Sequence, residues 1–404
     1  MSSNNQPNVI SDQEFITLMA ILMSLVALAI DTMLPALAVI GTDLGVTVAN
    51  DNQLIISVIF IGLAVGQLLY GPLSDSIGRK PAIISGTGVF MLGCLMSLFA
   101  TTFSFMLAGR LLQGLGIAGP RIVTIALIRD KYEGREMAKV MSFVMTLFIL
   151  APVVAPALGQ GIISFAHWRA IFALLLLLGL ISVCWFALRQ PETLPVEKRV
   201  PLSLSRVLSA MWEVCSNRIA LGYTLTAGFV SGLFLAFLTT SPQILQEQYQ
   251  LGVKFPFYFA LIALAVGLAS FVNGKIVMRY GMLLLCHRAL YIFFILSLLY
   301  WFPASSFNGH PPLWTFIGFL LLSFFCIGIV WGNLNALAMQ PLGHIAGVGA
   351  AVVGSLSTLM SVPIGIFIGN SYDGTILPLL LGFILCSLSA IVLVTWTERT
   401  SDKK

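Results

Sequence analysis

Charge is what this chain lacks. Only 9% of its 404 residues are Asp, Glu, Lys or Arg, while 58% are hydrophobic; an ordinary soluble domain carries roughly 25% charge. A water-soluble globule could not hide that much apolar surface, which excludes a soluble enzyme or binding module. The cysteines are no more suggestive: Cys94, Cys184, Cys215, Cys286, Cys326 and Cys386 show no CxxC or other metal spacing, and most fall in apolar runs as packing thiols. His167, His287, His310 and His344 stand at the ends of those runs or between them, so no metal, haem or other cofactor is expected. No G-x-x-x-x-G-K-[ST] loop is present, which argues against ATP-driven pumping.

What the chain does have is a series of apolar runs of about 20 residues, the length a helix needs to cross a hydrocarbon core. They fall near 15–38, 52–73, 81–101, 104–127, 137–163, 168–188, 219–243, 255–276, 284–303, 313–338, 347–369 and 375–396. These runs define an all-α polytopic membrane protein with twelve transmembrane helices. The first contains Ala36-Leu37-Ala38, which resembles a cleavage site. It reads as an uncleaved helix, because Met1–Glu14 holds no Lys or Arg and the run is long and carries a carboxylate.

Basic residues orient the spans. With the N-terminus cytoplasmic, Arg79, Lys80, Arg129, Lys131, Arg135, Lys139, Arg189, Lys198, Arg199, Arg206, Arg218, Lys275, Arg279, Arg288, Arg399, Lys403 and Lys404 fall inside and only Arg169 and Lys254 outside. That asymmetry is the one expected of a multi-pass protein with both termini in the cytoplasm. It accounts for the net charge of +5 without invoking nucleic acid.

The longest polar stretch, Arg189 to Arg218, reads as a cytoplasmic linker between two six-span halves, 1–188 and 219–404, with 189–218 between them. The halves look related: GPLSDSIG at Gly71–Gly78, after the second span, is echoed by GKIVMRYG at Gly274–Gly281, after the eighth. Parallel six-span repeats with a site between them are one architecture of secondary transporters.

GPLSDSIGRKP, Gly71–Pro81, resembles the loop signature G-x-L-x-D-x-x-G-R-[RK] of the major facilitator superfamily. The resemblance implies that fold, with two pseudo-symmetric six-helix halves. It also implies a cytoplasmic latch made by Gly71, Asp75, Gly78, Arg79 and an acid at the end of the fourth span, here Asp130. In such a latch a carboxylate would face the N-terminus of the helix that starts near Gly347. Ser76 departs from the basic residue common at its place. RLLQGLGIAG, Arg110–Gly119, resembles the family's R-x-x-Q-G motif, and APVVAPALGQG, Ala151–Gly161, resembles the fifth-span motif of its antiporters, with Pro152, Pro156 and Gly159 permitting a gate to bend. DTMLPAL at Asp31–Leu37, IRDKYEG at Ile128–Gly134 and AMQPLGHIAGVGAA at Ala338–Ala351 resemble the Bcr/CflA branch of drug:proton antiporters, from which Pro120-Arg121 departs. The match of GLGIAG, Gly114–Gly119, to a dinucleotide fingerprint fails for want of a preceding strand.

Asp31 is the residue that most needs a reason. A carboxylate deep in a span costs several kcal/mol unless compensated, and the other fifteen acids fall in loops or at span ends. Counted from the outer ends of their spans, Asp31 and Arg110 each lie roughly 10 Å deep, so they are expected to compensate each other directly or through Gln113 and water. Beyond such a structural pair, Asp31 is a candidate proton site whose affinity shifts as Arg110 or water moves, or a partner for a cationic substrate. Arg121 is read as snorkelling to the interface or pairing with Glu133 or Asp75, the alternative being contact with an anionic substrate.

Candidate cavity-lining groups are Asp31, Gln113, Phe148, Phe234, Asn333 and Asn335, with Asn52, Gln53, Gln67, Phe229, Phe237 and Trp331 also near. An apolar cavity with few polar groups suits varied lipophilic substrates. The expected function is proton-coupled efflux of small lipophilic or cationic molecules by a monomer in a bacterial inner membrane. The alternative is a metabolite carrier or importer on the same fold. An enzyme is not expected, since no nucleophile elbow, His/Cys/Asp cluster or paired intramembrane carboxylate is present.

Overall fold

Inside a bilayer every backbone N–H and C=O must find its partner within the protein, so a chain this apolar has helices as its only economical spanning structure. A computed structural model describes residues 10–399, leaving Met1–Val9, Lys403 and Lys404 of the flank and charge arguments outside the described residues. Its spans run Asp12–Asp43, Ala49–Ile77, Arg79–Leu98, Phe103–Lys131, Gly134–Phe165 and Arg169–Arg189, then Arg218–Gln248, Gly252–Tyr280 and Met282–Ser306. Leu313–Met339, Ala346–Asn370 and Leu377–Glu398 complete twelve. The tenth and eleventh are joined by a tight helical turn, Gln340–Ile345, where Leu342 leaves helical geometry at φ −104°, ψ 16°.

The ends are fixed by local chemistry. The side chains of Ser11, Thr102 and Asn217 accept hydrogen bonds from the first free N–H groups of the first, fourth and seventh spans, as N-caps do. Gly78 and Gly281, the last residues of the two echoed loop sequences, both turn the chain between consecutive spans at positive φ, 109° and 79°. Side chains disfavour that conformation and glycine does not. A helix at Leu204–Ser216 forms within the polar linker, where none was anticipated.

Packing makes the repeat explicit. In the first half the fourth span packs on the second and third, the first on the fifth, and the third on the sixth. In the second half the tenth packs on the eighth and ninth, the seventh on the eleventh, and the ninth on the twelfth. Adding six to each span number of the first set gives the second. The halves meet along two seams, the second span on the eleventh and the fifth on the eighth, which the same relation exchanges. GLGIAG serves the closest of these packings: a Cβ at Gly114 would strike the carbonyl oxygen of Ile59 on the second span, and one at Gly116 the amide nitrogen of Phe90 on the third. Absent side chains let backbones approach where no hydrophobic effect drives helices together.

Two ends of the bundle are distinguished below. The linker end carries the Gly71–Pro81 loop and the linker; the far end carries the turns around Val46 and Trp168.

Candidate functional site

Pro35 decides where the α-helical part of the first span stops. It cannot donate to the carbonyl four residues back, that of Asp31, and the α-helix closes at Asp31 before a tight turn at Leu34–Ala36. The fifth span seats against this break. A Cβ at Gly159 would strike the carbonyl oxygen of Thr32 and approach the Pro35 ring, so Gly159 and the helix break are complementary surfaces.

Asp31 is 5% exposed, and the space it sees is a cavity of about 160 Å³ between the halves. Its walls are apolar and aromatic: Phe148 and Pro152 come from the fifth span, Phe234 and Phe237 from the seventh, Phe259 from the eighth and Trp331 from the tenth. Asp31 and Arg121 are the two charged residues that line it. Among the described residues neither has a hydrogen-bond or ion-pair partner.

The expected pairing of Asp31 with Arg110 is not made. Arg110 is fully buried and turns its guanidinium to backbone: Nε donates to the carbonyl of Ile55 at 2.9 Å and Nη1 to that of Ala29 at 2.9 Å and to Gln113 Oε1 at 2.6 Å. Gln113 in turn donates to Ser97 at 3.2 Å. The Ala29 carbonyl that Arg110 reaches is two residues from Asp31, so the two side chains start from a similar level. Depth alone, however, does not say which way a side chain leaves its helix, and Arg110 ties the first, second and fourth spans together behind the cavity wall.

Arg121 corrects the sequence reading in the opposite sense. Among the described residues it pairs with neither Glu133 nor Asp75, and it lines the cavity instead. Spacing could not have found it: eleven residues after Arg110, close to three full turns, it lies on nearly the same helix face, yet Arg110 turns behind the cavity wall.

Phe148, Phe234, Phe237 and Trp331 line the cavity as expected, and Gln113, Asn52, Gln53, Gln67 and Phe229 do not; of the fifth-span prolines, Pro152 also lines it. Asn333 is buried against Asn273, with mutual amide bonds of 2.8 and 3.1 Å, and Asn335 is exposed and bonds the Trp331 carbonyl of its own helix. Those two amides satisfy each other or their helix, which removes them from the cavity.

At the linker end the loop signature closes on itself. Arg79, 5% exposed, donates from Nη1 to Asp75 Oδ1 at 2.5 Å and to Ser74 at 2.8 Å, and from Nε to Asp130 Oδ2 at 2.9 Å. Asp75 also lies beside the eleventh span's first turn, its Oδ2 3.9 Å from where a Cβ on Gly347 would stand. Gly71 approaches the same helix, where its Cβ would come 3.2 Å from that of Ala351. Glu192 was missed. Its carboxylate accepts the backbone N–H groups of Arg79 at 2.9 Å and Lys80 at 3.1 Å, a favourable place for negative charge at a helix start. No local pattern could have identified it, because it reaches the loop from the linker, 113 residues away in sequence.

The far end is closed by neutral amides. Gln53 donates to Gln243 Oε1 at 2.5 Å and to the carbonyl of Gly369 at 3.1 Å; Gln243 donates to Asn50 at 2.9 Å; Asn50 donates to the carbonyls of Asn370 and Tyr372 at 3.0 and 2.9 Å. These residues belong to opposite halves.

Two six-span halves around a central cavity are the architecture of a secondary transporter, and comparison with known proteins makes the class specific. Residues 19–365 match the family model of the Major Facilitator Superfamily, and the chain belongs to that family of transporters. It is 32% identical to an uncharacterized MFS-type transporter, YdgK, of Bacillus subtilis over 87% of each chain. It is 29% identical to a bicyclomycin resistance protein homolog of Haemophilus influenzae over 94% of each. With the multidrug resistance protein MdtM of Escherichia coli it shares 28% identity over 83% of this chain and 80% of that one. The fold is also that of the human organic anion transporter MFSD10, at a TM-score of 0.70 and 20% identity, over 95% of this chain and 98% of the other.

Proposed function

We propose that this transporter is a proton-coupled drug exporter of the Bcr/CflA type, working as a drug:H⁺ antiporter by alternating access. The halves divide at 1–188 and 219–404 with 189–218 as linker, and the linker end faces the cytoplasm of a bacterial cell, consistent with the weight of Lys and Arg there. The names of the bicyclomycin and multidrug resistance relatives support the drug-export part of the reading.

The observation that carries the proton part is Asp31: a single carboxylate without a partner, on an aromatic-walled cavity between the halves. A carboxylate in that position is costly to keep charged, so its proton affinity depends on how much water the cavity admits. Opening to one side and then the other changes that water, which is what coupling requires. Drug entering from the cytoplasm displaces water and competes with the proton; release outside allows reprotonation and return. Arg110 acts by holding the backbone of the first span at Ala29, two residues from Asp31, so that the break at Pro35 stays in register. Asp75, Arg79 and Asp130, with Gly71 and Gly78, form the cytoplasmic latch, and the Pro152, Pro156 and Gly159 stretch forms the moving wall.

Inverted membrane vesicles energised to an acid interior, with a pH-quenched dye, test this. Addition of a drug panel is expected to release protons in the wild type and not in Asp31→Asn. Equal responses in both would remove Asp31 from the coupling path. Silence in both, with folded protein in the membrane, would put a metabolite carrier in place of drug export.

A further inference from the structure

Arg121 is the feature that the drug:H⁺ exchange does not use. A guanidinium inside a membrane protein ordinarily turns to carboxylates or carbonyls, as Arg79 and Arg110 do here. Arg121 has neither among the described residues and points into the cavity. Its position along the bundle follows from the ion pair of Lys131 with Asp12 at 3.2 Å, which sets a common level on the fourth and first spans. Counted from that level, Arg121 lies nearer the linker end than Asp31 by about 13 Å of helix rise. The cavity therefore has a carboxyl group towards its far end and a guanidinium towards its linker end, and its walls include the aromatic rings of Phe60, Phe148, Phe234, Phe259 and Trp331.

We infer that Arg121 is a substrate-binding residue, and that the cavity takes amphipathic aromatic molecules bearing a carboxylate or similarly shaped anionic head. The inference rests on the cavity being the substrate site proposed above, and it names the substrate chemistry that site prefers. The physical reason is the unpaired charge. Holding an ion without partners against apolar walls is unfavourable, and a ligand that supplies the counter-charge relieves it. Guanidinium suits this because its planar fork pairs with both oxygens of a carboxylate at once. The apolar body of the ligand stacks on the aromatic walls, and the head selects Arg121 because no other basic residue is among the described lining groups. Coming from the linker end, such a molecule meets Arg121 first.

Calorimetry on the purified full chain in detergent tests the inference with three probes that share one aromatic body: naphthylacetate, naphthylethanol and naphthylethylamine. Wild type is expected to bind the carboxylate about tenfold or more tighter than the alcohol, the range of a charge-assisted pair over a neutral contact. Arg121→Gln is expected to bring that ratio close to one while leaving the alcohol's affinity in place. Arg121→Lys, which keeps the charge and loses the fork, is expected to fall between, and guards against reading a misfolded variant as a result. A wild type that binds the alcohol or the amine as tightly as the carboxylate overturns the inference, as does a preference for carboxylate that survives in Arg121→Gln. If those outcomes accompany drug-driven proton release in vesicles, only the anion inference falls. If none of the three probes binds and no drug releases protons, the cavity reading falls with it.

Discussion

The two seams between the halves are exchanged by the internal repeat, yet they are built differently. Along the second and eleventh spans the contact is stitched from end to end. Gln53 reaches the Gly369 carbonyl at 3.1 Å, Ser355 Oγ donates to the Ala64 carbonyl at 2.7 Å, Gln67 meets Thr358 at 3.4 Å, and Gly71 lies against Ala351. Along the fifth and eighth spans no hydrogen bond crosses among the described residues. The contact there is of apolar surfaces such as Ile149 against Gly267, next to an apolar cleft lined by Met145, Leu264 and Phe271. In a bilayer, apolar surfaces lose little when lipid replaces protein, whereas a broken polar contact leaves groups without partners. Parting the first seam therefore costs more than shifting the second, and the second carries Pro152 and Pro156.

The largest effect should come from fixing the stitched seam. In a Cys184→Ser, Cys215→Ser background, Gly71→Cys with Ala351→Cys brings two Cβ atoms close to disulfide range, about 3.5–4.5 Å. Mild oxidation is expected to stop export completely and reductant to restore it. Export at an unchanged rate with the bond demonstrably formed would mean that this seam never parts at the linker end.

A smaller but clear effect is expected where the fifth span meets the helix break. Gly159→Leu forces a side chain onto the Thr32 carbonyl, an overpacking that costs about 1–3 kcal/mol. It should lower the melting temperature and slow export. Gly161→Leu, two residues along in open space, should do neither; equal damage from both would show that the fifth span tolerates no bulk anywhere and that the seat on Thr32 is not special.

The smallest effect isolates one stitch. Ser355→Ala removes a hydrogen bond across the seam at about 0.6 kcal/mol, the typical value between membrane helices. Ser270→Ala, on the eighth span, removes a bond from Ser270 to its own helix at Val266 and should leave thermal stability unchanged. A loss from Ser270→Ala as large as that from Ser355→Ala would erase the distinction between the seams.

Much of the candidate site was legible because its signals are local. Asp31 is conspicuous as an acid in an apolar run. The Gly71–Pro81 loop carries its geometry in a few consecutive residues, and Asp130 lies at the level that brings it to Arg79. The failures share one cause. Arg110 and Asp31 have the same depth, Arg121 lies towards the linker end, and Asn333 and Asn335 are two residues apart, but none of these facts fixes a side chain's direction. Arg110 finds backbone carbonyls on two other spans, and Asn333 finds Asn273 sixty residues away.

The sequence by itself determined the twelve spans, the six-plus-six repeat and the glycine turns that end its echoed loops. Composition and backbone hydrogen bonding in lipid leave a chain of this kind no other spanning structure. Only the tertiary structure decided which charged groups are satisfied and which are not. That depends on which helix faces meet, and it left Asp31 and Arg121 as the two charges facing the cavity.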